Sequence, residues 1–230
     1  MNIAVIPARG GSKRIPRKNI RNFLGKPIIS YPIEAAVKSK LFNKVIVSTD
    51  DEEIAKISTS YGAEIPFIRC DELSDDITSV TEVISSTVKW LNNNEHYSEN
   101  ICCILPTTPC IDEIDLINGH KKLTNENWSY VFAASKNKES YFRSFKMNSD
   151  KSIEMIFPEN YASRSQDLLD TYYDAGQFYW GKNSAWVSKQ KSFDKHSTII
   201  ELESWKAYDL DTLKDWNELE NLLKSSNFNQ

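Results

Sequence analysis

Ile3-Ala4-Val5-Ile6, then Pro7-Ala8-Arg9-Gly10-Gly11-Ser12-Lys13-Arg14-Ile15-Pro16-Arg17-Lys18-Asn19: a short apolar run breaks into a loop with two glycines, two prolines and five bases. The apolar run reads as a strand buried on both faces. Glycines let backbone N–H groups approach a ligand closely, and clustered cations neutralise its charge. The loop therefore suits a polyphosphate. It matches neither standard phosphate template: the GxxxxGK spacing followed by Ser or Thr is absent, and so is a GxGxxG that opens a helix.

Working outward, strand and helix patterns alternate. A helix is expected over Ile28–Lys38, with Pro27 and Pro32 moving its start toward Ser30. Further expectations are a strand over Lys44–Ser48, a helix over Asp51–Tyr61 capped by Thr49-Asp50-Asp51, and a short strand over Ile65–Ile68. Then come a helix over Thr78–Leu91, a strand over Ile101–Leu105, a helix over Asp112–Leu123 and a strand over Tyr130–Ala134. This rhythm predicts an α/β fold: a Rossmann-like, mostly parallel sheet with helices on both faces and the site at one sheet edge.

The rhythm changes from about 135 to 181. A hairpin is expected over Tyr141–Phe157 around Asn148-Ser149-Asp150, and Arg164–Trp180 is rich in Tyr, Asp and Gln. The expectation is one domain over 1–230, with a core of 1–134 and 182–230 and an inserted subdomain of about 135–181. The core resumes with a helix near Asn183–Gln190, a strand near Thr198–Leu202 and a helix near Thr212–Lys224.

The chain has 230 residues and a net charge of −4, which gives no overall reason to expect nucleic acid or a membrane as partner. The first 33 residues hold seven of the 28 bases and no acid, so they carry +7 and the rest −11. That division favours a small anionic ligand. No secretory signal or spanning segment is read from the sequence. Cys70, Cys102, Cys103 and Cys110 lack a CxxC spacing and read as reduced thiols of a cytoplasmic protein.

Two further clusters carry possible chemistry. Asp209-Leu210-Asp211 places two carboxylates at i and i+2, facing the same way in an extended segment. Such a pair holds a hard cation, or Asp211 caps the last helix; the spacing alone leaves both open. Arg164-Ser165-Gln166-Asp167 and Asp174-Ala175-Gly176-Gln177-Phe178-Tyr179-Trp180 suit a polyhydroxylated acid, or form an aromatic core around a turn.

The run Ile6–Asn19, with Gly25-Lys26-Pro27, Val47-Ser48-Thr49-Asp50 and Asp209-Leu210-Asp211-Thr212, resembles the acylneuraminate cytidylyltransferases over nearly the whole chain. The resemblance implies the nucleotide-diphospho-sugar transferase type of fold, CTP and a 2-keto sugar acid as substrates, Mg²⁺ as cofactor, and a homodimer whose insertion reaches the neighbouring active site. By motif position it implies nucleotide contacts at Ala8, Arg9, Gly10, Gly11, Ser12, Lys18, Asn19, Arg69 and Asp76. Arg9, Lys18 and Asp211 would be catalytic, and Asp209 and Asp211 the metal ligands.

Two departures bear on the sugar. Leu105-Pro106-Thr107-Thr108-Pro109 stands where sialic acid enzymes usually read Gln-Pro-Thr-Ser-Pro. Asp174–Trp180 replaces their Asn-Gly text. Together with Pro158-Glu159-Asn160-Tyr161 and Arg164–Asp167, they resemble the branch of the family that takes pseudaminic acid, whose C9 methyl suits an apolar contact such as Leu105. The resemblance implies sugar contacts at Leu105, Thr107, Arg164, Gln166, Asp174 and Gln177. The alternatives are sialic, legionaminic or 3-deoxy-octulosonic acid, another nucleotide with a sugar phosphate, and a non-catalytic nucleotide-binding protein.

Overall fold

A computed structural model describes residues 1–225. The elements, in order, are β1 (Asn2–Pro7), β2 (Asn22–Phe23), β3 (Lys26–Pro27), α1 (Ser30–Ser39), β4 (Lys44–Ser48), α2 (Glu52–Ser60), α3 (Val80–Asn93) and β5 (Asn100–Ile104). They continue with α4 (Glu113–Asn125), β6 (Tyr130–Lys136), β7 (Phe145–Met147), β8 (Ile153–Met155), β9 (Tyr172–Lys182), α5 (Asn183–Val187), β10 (Ser197–Glu201) and α6 (Leu213–Ser225).

Six strands make the main sheet in the order β10-β6-β9-β5-β1-β4. β1 pairs parallel with β4 and β5, and β10 pairs parallel with β6. Alternation along β1 builds two cores. Ala4 and Ile6 face a layer with Ile33 of α1, Ile54 of α2 and Leu116 of α4, whereas Ile3 and Val5 face Ile84 and Val88 of α3 and Trp186 of α5. Cys102 and Cys103 divide between the same two layers, as neighbours on a strand must. A third cluster packs Trp216 and Leu219 of α6 on Ile15, Phe23, Ile28 and Leu210, so the last helix braces the loop after β1. No helix among the described residues is long and apolar enough to cross a membrane.

Three sequence expectations change in detail. Ile65–Ile68 is not a strand: it makes only isolated bridges, from Glu64 to Ile46 and from Ile68 to Thr49. Pro66 between them has no N–H for a ladder. The hairpin turns between Asn148 and Lys151 as expected, with Lys151 at φ 69°, but it is short, with three residues in each strand. The third change concerns 172–181, expected within the insertion. Those residues lie in β9, the antiparallel strand between β5 and β6. Its exposed first half, Tyr172-Tyr173-Asp174, reads as polar surface, while Phe178 and Trp180 are fully buried. An antiparallel neighbour needs no crossover helix, so the usual strand-helix rhythm gives no sign of it.

Candidate active site

The carboxyl ends of β1, β4 and β5 lie at one edge of the sheet, where open α/β folds bind ligands. The loop after β1 is tied there at several points. Ala8 is fully buried and its N–H donates to the Ser48 carbonyl at 2.9 Å, extending the β1–β4 pairing. The Gly10 N–H donates to Asp50 Oδ1 at 3.0 Å. A Cβ at Gly10 would lie 2.7 Å from Asp51 Oδ2, so this glycine makes room for a carboxylate of its own chain. Arg17 adopts the left-handed region at φ 54° and forks onto both oxygens of Asp51, with Glu53 at 2.6 Å. Asp51 also caps α2 by accepting the Ile54 N–H at 2.9 Å. The Arg17 guanidinium, with these backbone donors, holds the Asp51 carboxyl down at about 2 despite some burial. Asn19 is buried, and its amide donates to the Arg9 carbonyl at 2.9 Å.

These contacts shape a cleft of about 490 Å³. Arg9, Ser12, Lys13, Arg14, Lys18 and Asn19 line one wall; Arg69, Asp75, Asp76 and Thr78 line another, and Pro106 and Thr107 close the end beyond β5. Asp76 pairs with Arg9 at 2.8 Å and with Lys13, while the Arg14 guanidinium lies 2.5 Å from Asp211 Oδ2. Arg69 is buried, donating to the Ser48 carbonyl at 3.1 Å and to Ser74 Oγ at 3.0 Å. Burial pushes it below the usual arginine value, against the pull of Asp50.

The Asp209–Asp211 segment faces Lys18. Leu210 lies in the third core; Asp211 pairs with Arg14 of the cleft, and neither Asp209 nor Asp211 is itself among the residues that line it. Burial lowers Lys18 from its ordinary value, and Asp209 and Asp211 pull it back up in part. Asp209 keeps one side open to solvent. Partial burial and then the like charge of Asp211 raise it. Two carboxylates that repel each other beside a polyphosphate-sized cleft fit a hard divalent cation. Among the described residues no group of three or more His, Cys, Asp or Glu could hold a metal alone. The donor set thus suits Mg²⁺, which takes one or two carboxylates and completes its shell with phosphate and water.

Of the residues expected at the site, Arg9, Ser12, Lys18, Asn19, Arg69, Asp76 and Thr107 line this cleft. Ala8, Gly10 and Gly11 supply backbone around it. Leu105 lies next door, in an apolar hollow of about 190 Å³ with Tyr179, Trp186 and Phe193 that shares Val80 with the cleft. Asp174, exposed at the start of β9, accepts hydrogen bonds from the Tyr179 hydroxyl and from the Gly176 N–H at 3.0 Å. Gln177, expected against the sugar, is 2% exposed, and its amide donates to the Lys206 carbonyl at 2.6 Å. Arg164 and Gln166 are exposed on the segment between β8 and β9. Arg164 pairs with Asp167 at 2.8 Å, and neither Arg164 nor Gln166, both expected against the sugar, lines the cleft.

A family model described as cytidylyltransferase matches residues 3–228. The chain belongs to the cytidylyltransferase family. This cytidylyltransferase is 41% identical over 214 residues to a pseudaminic acid cytidylyltransferase of Campylobacter jejuni, covering 93% of the chain and 92% of the relative. It is 29% identical to a CMP-N,N'-diacetyllegionaminic acid synthase of Legionella pneumophila, covering 96% of each chain. Among solved structures it resembles a CMP:2-keto-3-deoxy-manno-octonic acid synthetase complexed with CTP. That likeness has a TM-score of 0.71 at 15% identity, over 97% of this chain and 98% of the other, and bears on the fold.

Sequence reasoning missed the Arg17–Asp51 fork, the Tyr179–Asp174 bond and an ion cluster of Asp112, Asp115 and Lys206. The Asp112-x-x-Asp115 spacing at a helix start was the visible signal for the last. Its lysine lies some ninety residues on and could not be paired with it from the text.

Proposed function

We propose that this cytidylyltransferase joins CTP to pseudaminic acid, a nine-carbon 2-keto sugar acid, giving CMP-pseudaminic acid and pyrophosphate. The observation that carries this reading is the 41% identity with the Campylobacter relative over 93% of a chain whose basic cleft has Asp211 paired to one of its lining residues, Arg14. The apolar hollow of Leu105, Tyr179 and Phe193 beside the cleft supports a deoxy sugar with methyl-bearing substituents.

In the proposed reaction the anomeric hydroxyl oxygen attacks the α-phosphorus in line. The bond from that phosphorus to the bridging oxygen breaks, and pyrophosphate leaves with the electron pair. The hydroxyl proton goes to solvent. The step calls for alignment and charge stabilisation rather than a covalent nucleophile. Arg9, Ser12 and the Gly10-Gly11 backbone hold the triphosphate, Lys18 balances charge at the α-phosphate, and Asn19, Arg69 and Asp76 receive the nucleoside. A triphosphate would replace Asp76 as the partner of Arg9 and Lys13. Asp209 and Asp211 would hold Mg²⁺, which supplies charge neutralisation at phosphate oxygens and acidifies a bound hydroxyl.

Leu105, Thr107 and Asp174 face the sugar from the same protomer. Arg164 and Gln166 act on it from a second copy, with the segment 137–171 as the pairing arm of a homodimer. The enzyme works in the cytoplasm, where CTP is supplied. Pyrophosphate release with CTP across pseudaminic, legionaminic, sialic and 3-deoxy-octulosonic acids tests the reading. Pseudaminic acid is expected to give the highest kcat/KM, and a higher value with any other acid overturns the assignment.

A further inference from the structure

Lys206 lies three residues before Asp209, and its ammonium sits between two carboxylates of the α4 N-terminus. Nζ is 2.6 Å from Asp112 Oδ2 and 2.7 Å from Asp115 Oδ2, with the lysine side chain only 14% exposed. Asp112 is itself fixed as the α4 cap, accepting the Asp115 N–H at 2.9 Å. The Lys206 carbonyl is held as well: it accepts the Gln177 amide at 2.6 Å and the Tyr208 N–H at 3.0 Å. Gln177 belongs to β9, where its own carbonyl accepts the Leu105 N–H at 2.8 Å. One lysine thus joins the start of α4, the edge of β9 and the strap that carries Asp209 and Asp211.

The far end of that strap is pinned independently. Leu210 is 1% exposed in the third core, and the Asp211 N–H donates to Asp215 Oδ2 at 3.1 Å. Between the two anchors only Ala207, Tyr208 and Asp209 intervene, and the Tyr208 N–H bond to the Lys206 carbonyl fixes the turn that leads to Asp209. An ammonium paired with the buried Asp115 and the partly exposed Asp112 resists displacement, because leaving would strand the buried carboxylate unpaired. Neither Asp112 nor Asp115 lines the cleft, and Lys206 does not line it either.

We propose that Lys206, clamped by Asp112 and Asp115 and held by Gln177, is a positioning residue that sets the placement of the Asp209 and Asp211 carboxylates for a divalent cation. It acts through the strap and touches no substrate. The proposal rests on the reading of Asp209 and Asp211 as the metal pair. Groups that orient metal ligands from behind typically change metal affinity about 10–100-fold when removed.

The test is Mn²⁺ binding to the full chain with CTP and no sugar acid, followed by calorimetry and the electron paramagnetic resonance of free Mn²⁺. The variants are Lys206→Met and the uncharged triple Asp112→Asn/Asp115→Asn/Lys206→Met, which leaves no stranded carboxylate. Asp211→Asn is the reference. Both Lys206 variants should weaken Mn²⁺ by about 10–100-fold, while CTP binding without metal stays within about twofold. Lys206→Arg should restore most of the Mn²⁺ affinity. If the triple variant folds and binds Mn²⁺ as the parent does while Asp211→Asn loses it, the clamp is structural only and the proposal falls. If Asp211→Asn also keeps Mn²⁺, the metal pair itself is misassigned, and both readings fall together.

Discussion

At the residue scale, Lys18 is the residue that would balance charge at the α-phosphate in the proposed reaction. It is half-buried, lowered by burial, and faced by Asp209 and Asp211. Lys18→Ala should reduce kcat by about 10²–10³ with the thermal midpoint little changed, the usual loss for a preorganised charged contact. The pH profile is a sharper probe. Because the lysine value is lowered, its ammonium deprotonates before an ordinary lysine would, and activity should fall on the alkaline side below the usual range near 10.4. Lys18→Arg stays charged and should carry that limb to higher pH even as alignment suffers. An alkaline limb that does not move would remove Lys18 as its origin. The basic loop was legible because its chemistry is contiguous text. The Arg17–Asp51 fork was not, since it joins residues thirty-four apart and depends on how β1 and β4 align.

At the element scale, Asp51 joins the loop to α2 and serves both. Asp51→Asn keeps an amide oxygen that caps α2 but loses the charge facing Arg17. Asp51→Ala loses the cap too, which should cost about 1 kcal/mol more. Urea denaturation at neutral pH should rank parent, Asn and Ala in that order; equal losses would mean that the cap contributes nothing. The acid side follows from the depressed carboxyl. A group lowered to about 2 stabilises the fold fully above the ordinary carboxylate range and loses that contribution as the pH falls toward 2. Both variants should therefore show a shallower decline in stability below pH ~4 than the parent.

Helix boundaries were legible at this scale because their caps are local. Asp51, Asp112 and the Ser79–Glu82 capping box all sit where the sequence put helix starts. β9 was not. Its outer half resembles a polar loop, and its place between β5 and β6 is set by partners roughly forty to eighty residues away.

At the scale of the whole molecule, the segment 137–171 exposes large apolar side chains among the described residues. Phe145, Met147 and Ile153 are 59%, 72% and 63% exposed on one short hairpin. In the proposed homodimer they pack against the second copy. Met147→Glu should shift sedimentation toward the monomer and lower kcat, because Arg164 and Gln166 would no longer reach the neighbouring cleft. The thermal midpoint of the isolated protomer should be unchanged. A dimer that survives the substitution would place the interface elsewhere.

The reversed strand at the centre of the sheet also has a consequence for synthesis on the ribosome. β5 and β6 are complete by residue 136, yet they are not neighbours: the place between them belongs to β9, which ends at Lys182. A nascent chain that has released β6 but not β9 carries two strand edges that face the unfilled gap, and such edges invite pairing with other chains. The whole arm must emerge before the gap closes. Arrest or proteolysis within 137–171 should therefore leave an aggregating fragment rather than a smaller folded domain.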